Sequence, residues 1–346
     1  MKWGYTSTLL LAVAAQLLLA GCERRPLVVR EFETALIPVS IDWSKSGVPI
    51  DEMHRATVML FPRDGSAPLE YLMEGNLTYR TIEVPVGVYS VLVFNETTSE
   101  GDWNGISFIN TDNFDDFAAI GRSTISRGFY AYSAALPLTE NPEPLAAWAL
   151  ERFEVTKDML VRSRSKSRAE LDDEIVDLTH VVPSSRTEQM VVTARVTNLA
   201  SSMQATGTIN NLASGVYMAS GEKIYSSLAA HAFVLNGRVY DADGKSGTTT
   251  KTFNIFGHHP SEATIKPMNI DFILIDGTAH PTEVFDDVHP LITRDEEALP
   301  PLNTVKIGHM ALGGGEDDPD HPIVLPDMDM ASSVSVDDWD EILIPL

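Results

Sequence analysis

The chain has 346 residues, 44% of them hydrophobic, with one cysteine and a formal net charge of −24 from 25 basic and 49 acidic side chains. The hydrophobic content excludes a disordered chain, and the acidity excludes nucleic-acid binding because it repels phosphate backbones. One cysteine cannot form an internal disulfide or a cysteine-based metal centre, and the length predicts about two domains.

The amino-terminus has the pattern of an export signal. Lys2 precedes an apolar run over residues 9–20, which is shorter than the roughly 20 residues that a membrane-spanning helix needs. The run ends in Leu19-Ala20-Gly21-Cys22, which looks like a bacterial lipobox, whose cysteine receives diacylglycerol. We predict a signal peptide at residues 1–21, an acylated Cys22 and a lipidated tether at residues 22–34. The alternative is that Cys22 is an ordinary residue after the signal.

The predicted location is the outer membrane, with the protein lipid-anchored at the cell surface. After Cys22, Glu23 is followed by Arg24 and Arg25, which departs from the acidic stretch found in surface-exported lipoproteins of Bacteroidetes. The choice of leaflet is therefore open.

The first half of the chain alternates apolar and polar residues, as β-strands do. A strand over residues 36–43 would place Ile37, Val39, Ile41 and Trp43 on one face, with Pro38 at an edge or bulge. Further strands are predicted over residues 55–61, 79–84 and 88–94, with a turn at residues 62–65 and a short helix over residues 112–118.

The composition shifts to proline and then to opposed charges between residues 141 and 185, which predicts a boundary between domains at residues 35–180 and 181–346. In the second half, Asn236-Gly237 predicts the turn of a hairpin over residues 232–240. The other predicted strands cover residues 189–197, 250–256, 269–275, 304–310 and 333–346. Helical periodicity is nearly absent, so we predict an all-β protein of two tandem β-sandwich domains.

No motif predicts catalysis, a cofactor or a metal. Gly244-Lys245-Ser246 lacks the spacing of a phosphate-binding loop, and Asp241 to Gly244 is better explained as a turn than as a calcium loop. A Gly-x-Ser-x-Gly elbow is absent and no carboxylate pair stands out among the 49 acids. The acidic run at residues 316–320, beside His321, is interpreted as a solvated loop, with a weak calcium site as the alternative.

Several short segments, taken in order, resemble the fimbrillin-like lipoproteins of Bacteroidales, including the anchor and assembly subunits of the minor fimbria. The segments that carry the resemblance are the lipobox ending at Cys22, Asp42-Trp43, and residues 59–62, 85–95, 205–208, 256–257, 271–277 and 335–339. The resemblance implies two transthyretin-like β-sandwich domains, a role in fimbrial anchoring, assembly or adhesion, and no catalytic residues.

In that family, shafts polymerise by inserting a β-strand into a groove left when an amino-terminal strand is removed after a basic residue. If Cys22 stays lipidated and residues 35–43 stay attached, the chain's own strand fills the groove. We therefore predict an anchor or accessory subunit that is not cleaved after Arg30, with outer-membrane lipid and fimbrial subunits as partners. The carboxy-terminal strand, with Val334 and Ile342, is a second candidate for exchange, or it is plain core.

The main alternative is a surface glycan-binding lipoprotein, which would need an exposed aromatic platform. Trp103, between Asp102 and Asn104, is the tryptophan predicted to be exposed, whereas Trp43 is predicted to lie in the core. A hydrolase is the third hypothesis, and it would need a cluster of acids or histidines in a cleft.

Overall fold

The computed structural model describes residues 34–98, 105–123, 138–160, 178–259, 261 and 264–312. Within these residues the fold is built from β-sheets, which confirms the predicted all-β class. The strands are β1 (Thr34–Ser40), β2 (Arg55–Pro62), β3 (Leu69–Glu74), β4 (Tyr79–Pro85), β5 (Gly87–Phe94), β6 (Ile106–Ile109), β7 (Ala118–Gly121), β8 (Leu138–Thr139), β9 (Ala146–Val155), β10 (Ser184–Ser185), β11 (Glu188–Thr197), β12 (Ser202–Tyr217), β13 (Lys223–Val234), β14 (Gly237–Tyr240), β15 (Gly247–Ile255), β16 (Met268–Leu274), β17 (Glu283–Phe285), β18 (Ile292–Asp295) and β19 (Leu302–Ala311). Short 3₁₀ helices cover Trp43–Lys45, Ile50–Glu52, Leu199–Ser201 and His289–Leu291.

Two pairs of sheets each enclose a hydrophobic core. In the amino-terminal pair, the two-stranded sheet β1-β4 lies against the five-stranded sheet β10-β9-β5-β2-β3. In the carboxy-terminal pair, the sheet β14-β15-β11-β19-β18 lies against the sheet β17-β16-β12-β13-β8. Inward-facing residues of facing strands form these cores, because a strand directs alternate side chains to opposite faces.

A third core joins the two pairs of sheets. Its members from β2 and β5 are Met59, Phe61, Leu92 and Phe94, whose neighbours in sequence face the first core instead. Both faces of these central strands are therefore buried. The hairpin β6–β7 covers the outer face and pairs through β7 with β12, while β8 pairs with β13. Strands from the middle of the chain thus complete a sheet of the carboxy-terminal pair.

Most predicted strands are confirmed, including those over residues 55–61, 79–84, 88–94 and 189–197. The strands that the sequence analysis missed are β3, β6, β7, β8, β9, β10, β12, β17, β18 and all but the last residues of β13. The predicted strand over residues 333–346 lies outside the described residues.

Two local predictions were wrong. Residues 112–117 form turns, in which Asn113 accepts a hydrogen bond from the Asp115 backbone N–H (3.1 Å), and β7 then begins at Ala118. The hairpin at Asn236-Gly237 does not form, because β13 pairs with β12 and β8 while β14 pairs with β15 in the facing sheet. That dipeptide connects two sheets.

The actual hairpin of this region joins β14 to β15. Its turn includes Gly244 at φ +66°, a conformation that glycine adopts without strain. The Asp243 carboxylate accepts hydrogen bonds from the backbone N–H groups of Lys245 (2.9 Å) and Ser246 (3.0 Å). The interpretation of residues 241–244 as a turn is confirmed.

Candidate functional site at the first strand

The first strand fills one wall of the first core. Ala35, Ile37, Val39 and Ile41 are at most 3% exposed, and Trp43 follows them into the core, as the alternation predicted. Burying an aliphatic side chain of this size stabilises a fold by about 1.5–3 kcal/mol. The core of the amino-terminal sheets therefore depends on this short strand for a large part of its stability.

Hydrogen bonds hold β1 in place along its length. Within the described residues its strand partner is β4, in an antiparallel register that sets Ala35 opposite Val84 and Ile37 opposite Ile82. At its end, the chain meets residues 178–181, where the Asp42 backbone N–H donates to the Val181 carbonyl (2.8 Å). Pro38 is tolerated because β1 lies in a two-stranded sheet and not in the middle of a wide one.

Trp43 closes the end of the strand. Its indole Nε1 donates a hydrogen bond to the Leu77 carbonyl oxygen (2.8 Å), so the polar atom of the buried ring is satisfied. The side chain is 6% exposed, which confirms that Trp43 belongs to the core and offers no platform for a sugar.

A pocket of about 520 Å³, which we call the Asp42 pocket, opens beside the end of β1. Its apolar wall consists of Ile41, Trp43, Val48, Pro49, Ile50 and Leu299. Leu299 belongs to the carboxy-terminal half of the chain, so the pocket lies where the two halves meet. The backbone approaches closely here, because a Cβ atom placed on Gly47 would lie 2.7 Å from the backbone nitrogen of Pro300.

Asp42 supplies the charge of this pocket. Its carboxylate accepts a hydrogen bond from the Ser44 backbone N–H (2.9 Å). Hydrogen bonding by Ser44 is the main cause that lowers the pKa of Asp42 below its usual value, and the nearby charge of Lys45 lowers it further. The carboxylate is therefore ionised at neutral pH.

A second polar cluster, at the start of β11, was not predicted from the sequence. The buried Glu188 carboxylate accepts hydrogen bonds from Arg294 (3.1 Å) and from the Asn303 side-chain amide (3.0 Å). Lys223 Nζ donates to the Arg186 carbonyl oxygen (2.6 Å), and burial lowers the pKa of Lys223 to about 8. No local sequence motif indicates this cluster, because its members are up to 115 positions apart in sequence.

Several predicted site residues lie outside the described residues. These are the lipidation site Cys22, the cleavage candidate Arg30, the glycan candidate Trp103, and the acidic run at residues 316–320 with His321.

Within the described ranges, no group of three or more His, Cys, Asp or Glu residues is placed to hold a metal ion. In the same part of the chain, no helix combines the length and the apolar composition that a bilayer span requires.

The chain matches a known family model, and its fold is similar to that of solved structures. The family model for the domain of unknown function DUF5119 matches residues 21–233. A candidate adhesin from Bacteroides ovatus shares the fold at a TM-score of 0.53 and 16% identity, covering 87% of this chain and 99% of that chain. The predicted resemblance to fimbrillin-like proteins is thereby confirmed at the level of the fold.

Two more distant structures have TM-scores below that value. A candidate adhesin from Bacteroides thetaiotaomicron has a TM-score of 0.47 and 8% identity, covering 79% of this chain and 91% of that chain. The fimbrial anchor protein Mfa2 from Porphyromonas gingivalis has a TM-score of 0.37 and 9% identity, covering 73% of this chain and 82% of that chain. Among curated proteins, none matches the chain.

Proposed function

The chain belongs to the DUF5119 family, and from that premise we propose that it is a non-enzymatic, exported lipoprotein acting in fimbrial anchoring, assembly or cell-surface adhesion. It works through β-strand complementation at β1. The observation that carries the proposal is a short strand whose alternate side chains, Ala35, Ile37 and Val39, complete a core otherwise made by later strands.

The physical basis is β-augmentation. A strand added to a sheet gains affinity from backbone hydrogen bonds and specificity from alternate side chains that enter pockets. The antiparallel pairing of β1 with β4 provides the backbone hydrogen bonds, and the buried side chains along β1 provide the specificity. The fold shared with the candidate adhesin of Bacteroides ovatus supports a role at the cell surface.

The anchoring part of the proposal rests on Cys22. Acylation there would hold the mature chain on the outer membrane, and β1, which begins twelve residues later, would then stay attached. A subunit that keeps its own strand accepts or ends a polymer but does not extend it. We also propose transthyretin-like domains at residues 35–180 and 181–346 that exchange strands across this boundary, since β7 and β8 pair with β12 and β13 while β10 pairs with β9.

Strand complementation is tested by exchanging β1 in the folded protein. A specific protease sequence placed at the exposed residues 50–52 allows the chain to be cut after folding, so that β1 is held without a covalent link. A labelled peptide of residues 34–45 is expected to replace the cut strand, because it offers the same backbone bonds and buried side chains. Incorporation is measured by size-exclusion chromatography with fluorescence detection.

The matched control is the same peptide with Ile37→Asp and Val39→Asp, which would bury two charges in the core. It is expected not to be incorporated. If neither peptide is incorporated, or if both are, the strand does not act by complementation.

Anchoring is tested with Cys22→Ala in the full chain. We expect the variant to lose fatty-acid labelling and to leave the membrane fraction, since its acyl chains supply the membrane affinity. Crosslinking of intact envelopes followed by pulldown is expected to recover fimbrial subunits with the wild-type chain. If Cys22→Ala stays in the membrane fraction, the proposed lipid anchoring at Cys22 is wrong. If the pulldown contains no fimbrial subunits, the proposed role in the fimbria is wrong.

A further inference from the structure

We propose that the Asp42 pocket binds a lysine or arginine side chain of a partner polypeptide. The proposal goes beyond strand complementation and does not depend on it, because the pocket lies after the end of β1 at Ser40 and its charged group does not belong to the strand. Ile41 and Trp43 contribute to both the first core and the pocket lining.

The size and composition of the pocket fit a ligand site. Its volume of about 520 Å³ falls within the range of roughly 300–1,000 Å³ found for ligand pockets, which are mostly apolar with a few placed polar groups. Such pockets favour junctions between structural units, and this one joins residues 41–50 to Leu299.

The rim of the pocket carries apolar side chains that the fold leaves uncovered. Ile50 is 49% exposed and Leu299 is 59% exposed, and they come from the two halves of the chain. A long aliphatic stem lying between them would remove apolar surface from water on both sides.

The charge of the pocket lining indicates which chemical group a bound side chain carries at its end. Of the described residues that line the pocket, Asp42 is the charged one, and it is exposed and ionised at neutral pH. The positive charge of Lys45 also acts on Asp42, but Lys45 is not part of the lining.

The lining also contains Ser44 and Thr78, whose hydroxyl oxygens can accept a hydrogen bond from a cation. The hydroxyl of Ser46, in the same lining, is buried and bonded to the Val48 backbone. Apolar walls beside a carboxylate match a side chain with an aliphatic stem and a positive head, which only lysine and arginine have.

The geometry of Asp42 is preformed. Its hydrogen bond with the Ser44 backbone holds the carboxylate before any ligand arrives, and Trp43 beside it is fixed by its bond to Leu77. A partner side chain therefore loses its own freedom on binding but requires little ordering of the pocket.

The test measures binding of short blocked peptides to the full chain carrying Cys22→Ala, which leaves it without lipid. The probes are acetyl-Gly-Arg-Gly-amide and its lysine analogue, compared with peptides that carry citrulline or norleucine in place of the basic residue. Binding is followed by the NMR signal of the Trp43 indole N–H, assigned with Trp43→Phe. We expect the basic peptides to shift this signal and the two neutral peptides to bind about tenfold more weakly.

Two variants separate the charge of Asp42 from its structural role. Asp42→Asn keeps an oxygen for the Ser44 N–H but removes the charge, and we expect it to weaken binding of the arginine peptide about tenfold. Asp64→Asn is the matched control, because Asp64 is also exposed and accepts from the Ser66 backbone N–H (2.9 Å) but lies outside the pocket. It is expected to leave binding unchanged.

The proposal is overturned if no basic peptide shifts the Trp43 signal, if arginine and citrulline peptides bind equally, or if Asp42→Asn and Asp64→Asn have the same effect. Binding of either basic peptide that is lost in Asp42→Asn alone supports it.

Discussion

Replacing Phe117 with alanine is expected to lower the free energy of unfolding by about 3–5 kcal/mol. The side chain is 0% exposed and lies at the centre of the third core, with its ring 5.5 Å from that of Phe108, 5.7 Å from that of Phe94 and 6.3 Å from that of Phe61. The substitution removes these contacts and leaves a cavity between the two pairs of sheets.

The loss of stability in Phe117→Ala is expected to affect both pairs of sheets together. β2 and β5 belong to the first and third cores, and β12 contributes to the second and third, so the cores share strands. Urea unfolding, followed separately by tryptophan fluorescence and by far-UV circular dichroism, should show one transition at a lower midpoint. Phe114→Ala is the control with a smaller expected loss, because Phe114 is half-buried. Two separated transitions in the wild-type chain would contradict this coupling.

Acid is expected to destabilise the protein through His231. This side chain is 0% exposed on β13, and burial lowers its pKa from 6.5 to about 4. The Asn141 side-chain oxygen lies 3.1 Å from Nδ1, and the Asn141 amide nitrogen donates to the Ala232 carbonyl, so Nδ1 carries the proton of the neutral ring. The Thr139 hydroxyl lies 3.3 Å from Nε2 and 3.2 Å from the Ala230 carbonyl oxygen, so these two acceptors compete for its one proton.

The sign of the effect follows from the two pKa values. The folded state binds this proton less readily than the unfolded state, so the contribution of neutral His231 is complete above pH 6.5 and is lost as the pH falls toward 4. The difference between the two pKa values corresponds to a loss of about 3 kcal/mol in the free energy of unfolding below pH 4, relative to its value above pH 6.5.

The measurement is the free energy of unfolding at several pH values for wild type and for His231→Gln. The difference between them should change with pH across this range, because the glutamine side chain does not titrate. His54→Gln, at an exposed position, is the control and should follow the wild-type curve. If the His231→Gln curve runs parallel to that of the wild type, the folded protein does not exclude the proton as inferred.

Burial on one face explains why β1 could be predicted. Ile37, Val39 and Ile41 are buried and recur at every second position, with the less buried Leu36 and Ser40 and the buried Pro38 between or beside them. This period of two is visible without knowing any partner. β5 was predicted for another reason, since both of its faces are buried and it appears as a run of β-branched and aromatic residues. The long β12 was missed because its small and polar residues face several different neighbours and produce no period.

Pairing explains where the predictions failed. Asn236-Gly237 has the residues of a tight hairpin turn, yet the strands on either side satisfy their hydrogen bonds in different sheets. Residues 112–117 have a suitable cap for a helix, yet burial of Phe117 between two sheets decides the local conformation. In both places a weak local preference competes with many tertiary contacts.

The amino-acid sequence alone determined the all-β class, the acidity of the chain and the face of β1 that enters the core, because composition and alternation are local properties. Only the tertiary structure decided that β6, β7 and β8 join the carboxy-terminal sheets, that Glu188 meets Arg294 and Asn303, and that Asp42 shares a pocket with Leu299. The physical reason is that strand partners and pockets are chosen by the burial and hydrogen bonding of residues far apart in the chain, which no short stretch of sequence specifies.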